Sequence, residues 1–282
     1  MQTEPYIQHK HVPDGSPILC IVGPTGAGKT HLAMSLAAHA KSIGLTIELI
    51  SMDSALVYRG LDIGSAKPTK AEQEAVVHHL IDILEPTEVY SAARFAKDAD
   101  RLCEEIRGRG NIPVVVGGTM LYWRAWAYGL SSLPAADPEI RARLDEEGKA
   151  IGWPAMHEKL AKIDPETATR LKPNDSQRVQ RALEVFEISG KPMSTLLADS
   201  PSEDGREGST IPTWIHLISL EPSDRTRLHQ NLEKRFDEMV AAGFMDEVKT
   251  LRMNSALHAD LPAIRSVGYR QAWEFLNGEI DA

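Results

Sequence analysis

The chain has 282 residues, 42% hydrophobic and 25% charged, with a formal net charge of −9. That length and balance suit one large core, or a core with a smaller appendage, in ordinary globular proportions. They exclude a helical membrane span, since no apolar run nears the ~20 residues one needs, and a protein that coats nucleic acid through its overall charge.

Met1 to Ser16 is polar, carries His9, Lys10, His11 and Asp14, and lacks the apolar core of a signal peptide, so residues 1–16 read as a flexible tail. Ile18-Leu19-Cys20-Ile21-Val22 is a continuous apolar run, the pattern of a buried parallel strand. Gly23-Pro24-Thr25-Gly26-Ala27-Gly28-Lys29-Thr30 then fits the G-x-x-x-x-G-K-[ST] phosphate loop through Gly23, Gly28, Lys29 and Thr30. Leu32, Ala33, Leu36, Ala37 and Ala40 follow at helical spacing, and Gly44 can stop that helix. In such a loop the backbone N–H groups converge on an anion and the helix N-terminus adds partial positive charge. Lys29 can reach terminal phosphate oxygens, and the Thr30 hydroxyl is a candidate ligand for Mg²⁺. The alternative, a glycine turn that binds nothing, sits poorly with the strand–loop–helix context. The loop leaves open whether ATP, another nucleotide or an organic diphosphate is held.

A second strand is expected through Ile47, Leu49 and Ile50, ending at Ser51-Met52-Asp53-Ser54. Ligands of open α/β sheets bind beyond the carboxyl ends of strands, so Asp53 is either a site residue or a turn cap. His78 and His79 are adjacent; on a strand they face opposite ways and do not make a metal pair. Ser91 can cap a helix carrying Phe95, Ala99, Leu102, Cys103 and Ile106, closed by Gly108 and Gly110. Cys20 and Cys103 lie in apolar patterns and read as buried thiols in a reducing, cytoplasmic compartment. The strand Ile112 to Val116 ends in Gly117-Gly118-Thr119, where many phosphate-loop NTPases carry a magnesium-binding Asp. Thr119 either caps the helix Met120 to Tyr128 or presents its hydroxyl where backbone can approach closely.

From Leu130 to about Asp199 no strand is evident, and helices are expected to start near Asp137-Pro138, Trp153-Pro154 and Asp175-Ser176. The last carries Val179, Leu183 and Phe186 as an apolar stripe and Gln177, Arg178 and Arg181 on a polar side, which is a solvated face or a binding one. Pro201 to Ser209 reads as a mobile loop. Sheet returns at Trp214 to Leu220, before a long helix with Leu228, Leu232, Phe236, Met239 and Val240 on one face, Arg235 beside them and Gly243 as its stop. Ala263 to Arg270 is expected to open the final helix, through Trp273 to Leu276. The expected fold is α/β: a phosphate-loop NTPase-like parallel sheet flanked by helices, with core residues 17–129 and 210–282 and a helical insert with mobile linker at 130–209.

Six stretches together resemble one family, the tRNA dimethylallyltransferases or tRNA isopentenyltransferases, of bacterial type. They are GPTGAGKT, SMDSALVYRGLDIGSAKPT, VVVGGTMLYWRA, NDSQRVQRALEVFEISGKPMS, RFDEMVAAGF and LPAIRSVGYRQ, in order across residues 18 to 274. The resemblance implies transfer of a dimethylallyl group from dimethylallyl diphosphate to the N6 amine of an adenosine beside the tRNA anticodon. By the same resemblance Asp53 is the general base, Thr119 contacts the substrate nucleotide, Arg235 helps neutralise the diphosphate, and Gly23, Pro24, Thr25, Gly26, Ala27, Gly28, Lys29 and Thr30 bind it. It further implies tRNA contacts at Asp53, Ser54, Ala55, Leu56, Thr119 and Arg141, at Gln177, Arg178, Val179, Gln180 and Arg181, and at Arg265, Ser266, Val267, Gly268, Tyr269 and Arg270. Family members usually continue into another basic helical stretch; here the sequence stops at Ala282, so the resemblance does not carry full tRNA affinity over to this chain. Mg²⁺ is the expected cofactor, with tRNA and dimethylallyl diphosphate as partners, no membrane partner and a monomeric state.

Three alternatives remain at this point. A nucleotide or small-molecule kinase on the same fold would use Asp53 for phosphoryl transfer or metal binding; Gly-Gly-Thr at the strand end argues against it. An isopentenyltransferase acting on free adenine nucleotides would have little use for the insert with Arg178 and Arg181. A nucleotide-binding RNA module without catalysis would not need Asp53 at a strand end.

Overall fold

The computed structural model describes residues 16–129, 133–198 and 210–281. The tail expected at 1–16, apart from Ser16, and the loop expected at Pro201–Ser209 lie outside the described residues. The chain divides into two compact units, one holding residues 9–127 and 211–282, the other holding 128–210.

The larger unit begins β1 (Ile18–Val22), α1 (Lys29–Ser42), β2 (Ile47–Met52), α2 (Lys70–Ala75), β3 (His78–His79), α3 (Ala92–Gly108), β4 (Ile112–Gly117) and α4 (Met120–Tyr128). The sheet is parallel throughout, in the order β3-β2-β4-β1-β5, with β5 contributed by the later segment. Ile21, Leu49 and Val114 pack on Ala33 and Ala37 of α1, where small residues let the helix lie close to the strands. α3 is capped by the Ser91 hydroxyl, which accepts from Arg94 N, and it buries Phe95, Ala99, Leu102, Cys103 and Ile106 against the sheet. Cys20 and Cys103 are both buried thiols, as expected.

The smaller unit is helical: α5 (Pro138–Ile151), α6 (Trp153–Ile163), α7 (Pro165–Arg170), α8 (Ser176–Ser189) and α9 (Met193–Ala198). Asp137, Asp164 and Asp175 cap α5, α7 and α8 through their carboxylates, and proline opens α5 and α7 at its favoured first position. Leu144, Met156, Leu160, Ala168, Val179, Ala182 and Leu183 form its core. A buried leucine of this kind contributes about 1.5–3 kcal/mol, so this cluster accounts for the unit's cohesion. Phe186 is only half-buried; Ala182 and Val185 complete the stripe in its place.

The larger unit closes with β5 (Ile215–Ser219), α10 (Arg225–Ala241), α11 (Phe244–Arg252) and α12 (Tyr269–Leu276). One expectation is corrected here. The final helix starts at Tyr269, not Ala263, because Gly268 adopts φ 88° and breaks the helical path between them. The apolar face of α10 is not a core face: none of its residues is buried, and Phe236 and Val240 are exposed.

Candidate active site

Parallel register brings the carboxyl ends of four strands level. Val22 of β1 lies opposite Gly117 of β4 and Ser219 of β5, and Met52 of β2 lies opposite the same Gly117. The next residue of each strand, Gly23, Gly118, Leu220 and Asp53, therefore leaves the sheet at one edge. Space there is tight. A Cβ on Gly117 would come within 2.0 Å of the Met52 carbonyl oxygen, and one on Gly23, where φ is +148°, within 2.5 Å of the Leu220 oxygen. A Cβ on Gly118 would stand 3.2 Å from the Gly23 oxygen and 3.5 Å from Lys29 Nζ. The glycine pair at the end of β4 thus lets that strand meet β2 and the phosphate loop at van der Waals distance.

Lys29 begins α1, and its ammonium donates to the carbonyls of Gly23 and Pro24, both at 2.8 Å, tying the loop's end to its start. Burial pushes its pKa below the usual lysine value; the Asp53 carboxylate opposes that shift and the Arg235 guanidinium adds to it. These three charges therefore share one electrostatic neighbourhood. Asp53 Oδ1 accepts from Ala55 N at 2.8 Å and Leu56 N at 3.3 Å, so the aspartate does cap its own turn. Among the described residues no hydrogen bond engages Oδ2. Thr119 Oγ1 accepts from Ser54 N at 3.1 Å, so its hydroxyl joins the β4 end to the β2 turn rather than capping α4. α4 itself is anchored by Trp126, whose ring N–H donates to Asp100 at 2.8 Å, and by Tyr122, whose hydroxyl donates to the Tyr90 carbonyl at 3.0 Å.

Sequence reasoning missed the use made of α10. Leu228 and Leu232 lie over the phosphate loop, where a Cβ on Gly26 would meet their methyl groups at 3.2 and 3.0 Å. The periodicity of α10 reveals an apolar stripe but not which surface it covers; Arg235, one turn further on, was the available signal.

The other residues assigned to tRNA divide clearly. The side chains of Val179 and Tyr269 are buried, at 0% and 1% exposure, and serve packing. Arg265, Val267 and Arg270 are exposed on the larger unit, with Ser266 and Gly268 half-buried between them. In the helical unit Arg141 and Arg181 both turn onto Glu184, which is fully buried. Burial raises the Glu184 pKa, but hydrogen bonds from both guanidiniums and from Asp137 N outweigh that and hold it below the usual carboxylate range. Gln180 donates to the Arg141 carbonyl at 3.1 Å, Gln177 is exposed, and Arg178, 73% exposed, pairs with its own helix cap Asp175.

Sheet, loop and glycine-lined edge make this a phosphate-loop α/β protein with an inserted helical unit. The chain belongs to the IPP transferase family, whose model matches residues 56–282. It is 84% identical over 282 residues to a tRNA dimethylallyltransferase of Polynucleobacter necessarius subsp. necessarius, covering all of this chain and 84% of that one. A tRNA dimethylallyltransferase of Burkholderia multivorans is 55% identical over 264 residues, 94% of this chain and 79% of the relative. Among solved structures, the tRNA isopentenylpyrophosphate transferase of Bacillus halodurans is 35% identical with TM-score 0.59, covering 94% of this chain and 78% of that one. A eukaryotic dimethylallyltransferase acting on tRNA is 27% identical with TM-score 0.70, covering 94% of this chain and 64% of that one.

Proposed function

We propose that this protein transfers a dimethylallyl group from dimethylallyl diphosphate to the N6 amine of an adenosine beside the tRNA anticodon. The observation that carries the reading is the level strand edge at which Asp53 and Thr119 meet, beside the phosphate loop whose Lys29 shares a charge neighbourhood with Asp53. The bond between the allylic carbon and the diphosphate oxygen breaks as the bond from N6 to that carbon forms. Diphosphate leaves readily only when its charge is neutralised; the loop N–H groups, Lys29 and Arg235 serve that need. An exocyclic adenine amine is a weak nucleophile because its lone pair is delocalised, and Asp53 Oδ2 accepts its proton as the new bond forms. Thr119 and Ser54, already bonded to each other, offer polar groups to the purine. The adenosine reaches the edge unstacked, which a loop base does at modest cost.

The donor set suits Mg²⁺ of the kind completed by substrate oxygens. Among the described residues no group of three or more His, Cys, Asp or Glu could hold a metal alone, whereas Thr30 offers an exposed hydroxyl on the first turn of α1 beside the diphosphate position. When bound there, the ion supplies charge neutralisation on the diphosphate. We read the enzyme as a cytoplasmic monomer; no helix among the described residues is long and apolar enough to cross a membrane.

The test is to offer dimethylallyl diphosphate, labelled in the prenyl group, with tRNA, AMP or ATP in separate reactions. Label is expected in tRNA alone. Label in AMP or ATP would favour the free-nucleotide enzyme, and ADP formation coupled to a phosphorylated acceptor would favour a kinase.

A further inference from the structure

The segment after Asp53 is a loop with little regular structure, yet it is fixed at both ends. Glu247, in the first turn of α11, accepts four hydrogen bonds. Its Oε2 takes Asp62 N at 3.0 Å and Ile63 N at 2.8 Å, and its Oε1 takes Gly64 N at 3.2 Å and the Tyr269 hydroxyl at 2.6 Å. Three successive N–H groups converging on one anion form a backbone nest, here filled by a side chain of the same protein. Gly64 has no room to move: a Cβ there would lie 2.2 Å from the Phe244 ring and 2.8 Å from the Tyr269 ring. Tyr269 is buried, and burial followed by the Glu247 carboxylate pushes its pKa up, so it remains a donor.

The near end of the loop is held by Lys67. Its side chain is 5% exposed and donates to the Tyr58 carbonyl at 2.8 Å, to Asp62 at 2.6 Å and to Asp82. Asp82 N donates to the Leu56 carbonyl at 3.1 Å, and Ile83 N and Leu84 N donate to that of Val57 at 2.9 and 3.0 Å. Leu56 N in turn donates to Asp53 Oδ1. An unbroken run of hydrogen bonds therefore connects the nest on Glu247 to the aspartate turn.

We infer that Glu247 is a positioning residue for the prenyl transfer: through the Asp62–Gly64 nest it sets the loop that orients Asp53. The inference rests on Asp53 as the proton acceptor. Glu247 touches no reacting atom; its effect is on where Asp53 Oδ2 points when the amine arrives. A net charge of −1 on the nest is what the three donors require, so Glu247→Gln, equal in shape, turns an acceptor pair into one acceptor and one donor facing donors.

The experiment compares Glu247→Gln, Glu247→Asp and Asp53→Asn in single-turnover prenylation at saturating tRNA, with equilibrium binding of dimethylallyl diphosphate and thermal melting alongside. Misplacing a catalytic group by about 1 Å costs up to about 100-fold, so Glu247→Gln is expected to slow the step by roughly ten- to a hundredfold while diphosphate binding holds. Glu247→Asp keeps the charge but withdraws it from the nest, and a smaller loss of the same kind is expected. Hydrogen exchange at Ala55 and Leu56 should quicken in both, with α3 unchanged. Wild-type rates per folded molecule in either variant, with Asp53→Asn inactive, overturn this inference alone. If Glu247→Gln does not fold, Glu247→Asp decides on the same readouts. A fast Asp53→Asn overturns the proton-acceptor reading instead.

Discussion

The two ends of the same sheet use charge in opposite ways. At the amino end, Glu48 of β2 is buried and accepts from Arg109 at 2.8 and 3.2 Å, Asn111 at 2.6 Å and His79 at 2.6 Å. The buried charge there is answered by neighbouring side chains. At the carboxyl end, Lys29 and Asp53 bond to the backbone of their own turns. Their strand neighbours are glycines, and one aspartate oxygen has no hydrogen bond among the described residues. The difference lies in which residues stand at each end: Glu48, His79, Arg109 and Asn111 close the amino end with long polar side chains, while Gly23, Gly117 and Gly118 keep the carboxyl end open to a charged ligand. Charge satisfied within the protein holds the fold together, and charge left for a ligand does work on it.

That contrast breaks most visibly at Asp53. Asp53→Asn keeps the Oδ1 cap and removes the proton acceptor, so turnover should fall about 10²–10⁴-fold, as for loss of a positioned base. Melting temperature should change little, because the Oδ1 cap is kept and Lys29 keeps its bonds to the Gly23 and Pro24 carbonyls. Rapid-quench measurement with tRNA in excess reads the first effect and calorimetry the second. A large stability loss with little rate loss would make the carboxyl end resemble the amino end and erase the distinction.

The helical unit repeats the amino-end pattern around Glu184. Replacing both Arg141 and Arg181 by Ala strands a fully buried carboxylate, which typically costs about 3–5 kcal/mol. Loss of amide protection in α5 and α8 would register it. This expectation sharpens the assignment of the two arginines. If they act chiefly on tRNA, the variant should keep its protection and lose affinity; if they act chiefly on Glu184, protection falls first.

Glu48 offers the pH form of the same test. Burial raises its pKa, but hydrogen bonds from Arg109, Asn111 and His79 outweigh that and hold it at about 2. A folded pKa below the unfolded one means its contribution is present above the ordinary glutamate range, near pH 4.5, and fades as pH falls toward 2. Glu48→Gln should therefore lower stability at pH 7 by about 1–3 kcal/mol, allowing for the partial solvation of its partners. The gap from wild type should narrow as the pH approaches 2. A constant gap from pH 7 to pH 2.5 in denaturant titrations would show that the carboxylate's charge contributes nothing.

How much of this is legible in the sequence depends on how local each signal is. The phosphate loop, the Ser91 cap, the strand ending in Gly117-Gly118-Thr119 and the helix Met120–Tyr128 are written in neighbouring residues, and the structure forms them where those residues place them. Gly268 misleads because a helical pattern continues on either side of its positive φ. Arg181 reads as part of a solvated or binding face because its partner Glu184 lies three residues on, on the buried side of a helix whose polar face is continuous in the sequence. Glu247 gives no sign of its role, since its three backbone partners lie 183 to 185 residues away. Long-range polar contacts leave no periodicity, and no pattern within one segment can disclose them.

The smallest expected effect is at Arg178, and it separates the two uses of charge within one helix. Arg181, three residues on, is 28% exposed and committed to Glu184, whereas Arg178 is 73% exposed and pairs with the carboxylate that caps its own helix. An exposed pair of that kind contributes about 0.2–1 kcal/mol, so Arg178→Ala should leave folding nearly unchanged. A protein with net charge −9 must draw a polyanion through local cations, and Arg178 is placed to be one of them. If it meets a phosphate of looped RNA, its removal should weaken tRNA binding and reduce the slope of log affinity against log salt by roughly 0.7. The maximal single-turnover rate should stay near wild type, because Lys29, Asp53 and Thr119 are untouched. Binding measured from low to moderate salt, for wild type and variant together, reads both quantities. An unaltered slope would mean that Arg178 is a solvated helix charge, and that whatever holds the RNA lies elsewhere, with the exposed Arg265 and Arg270 the next pair to replace.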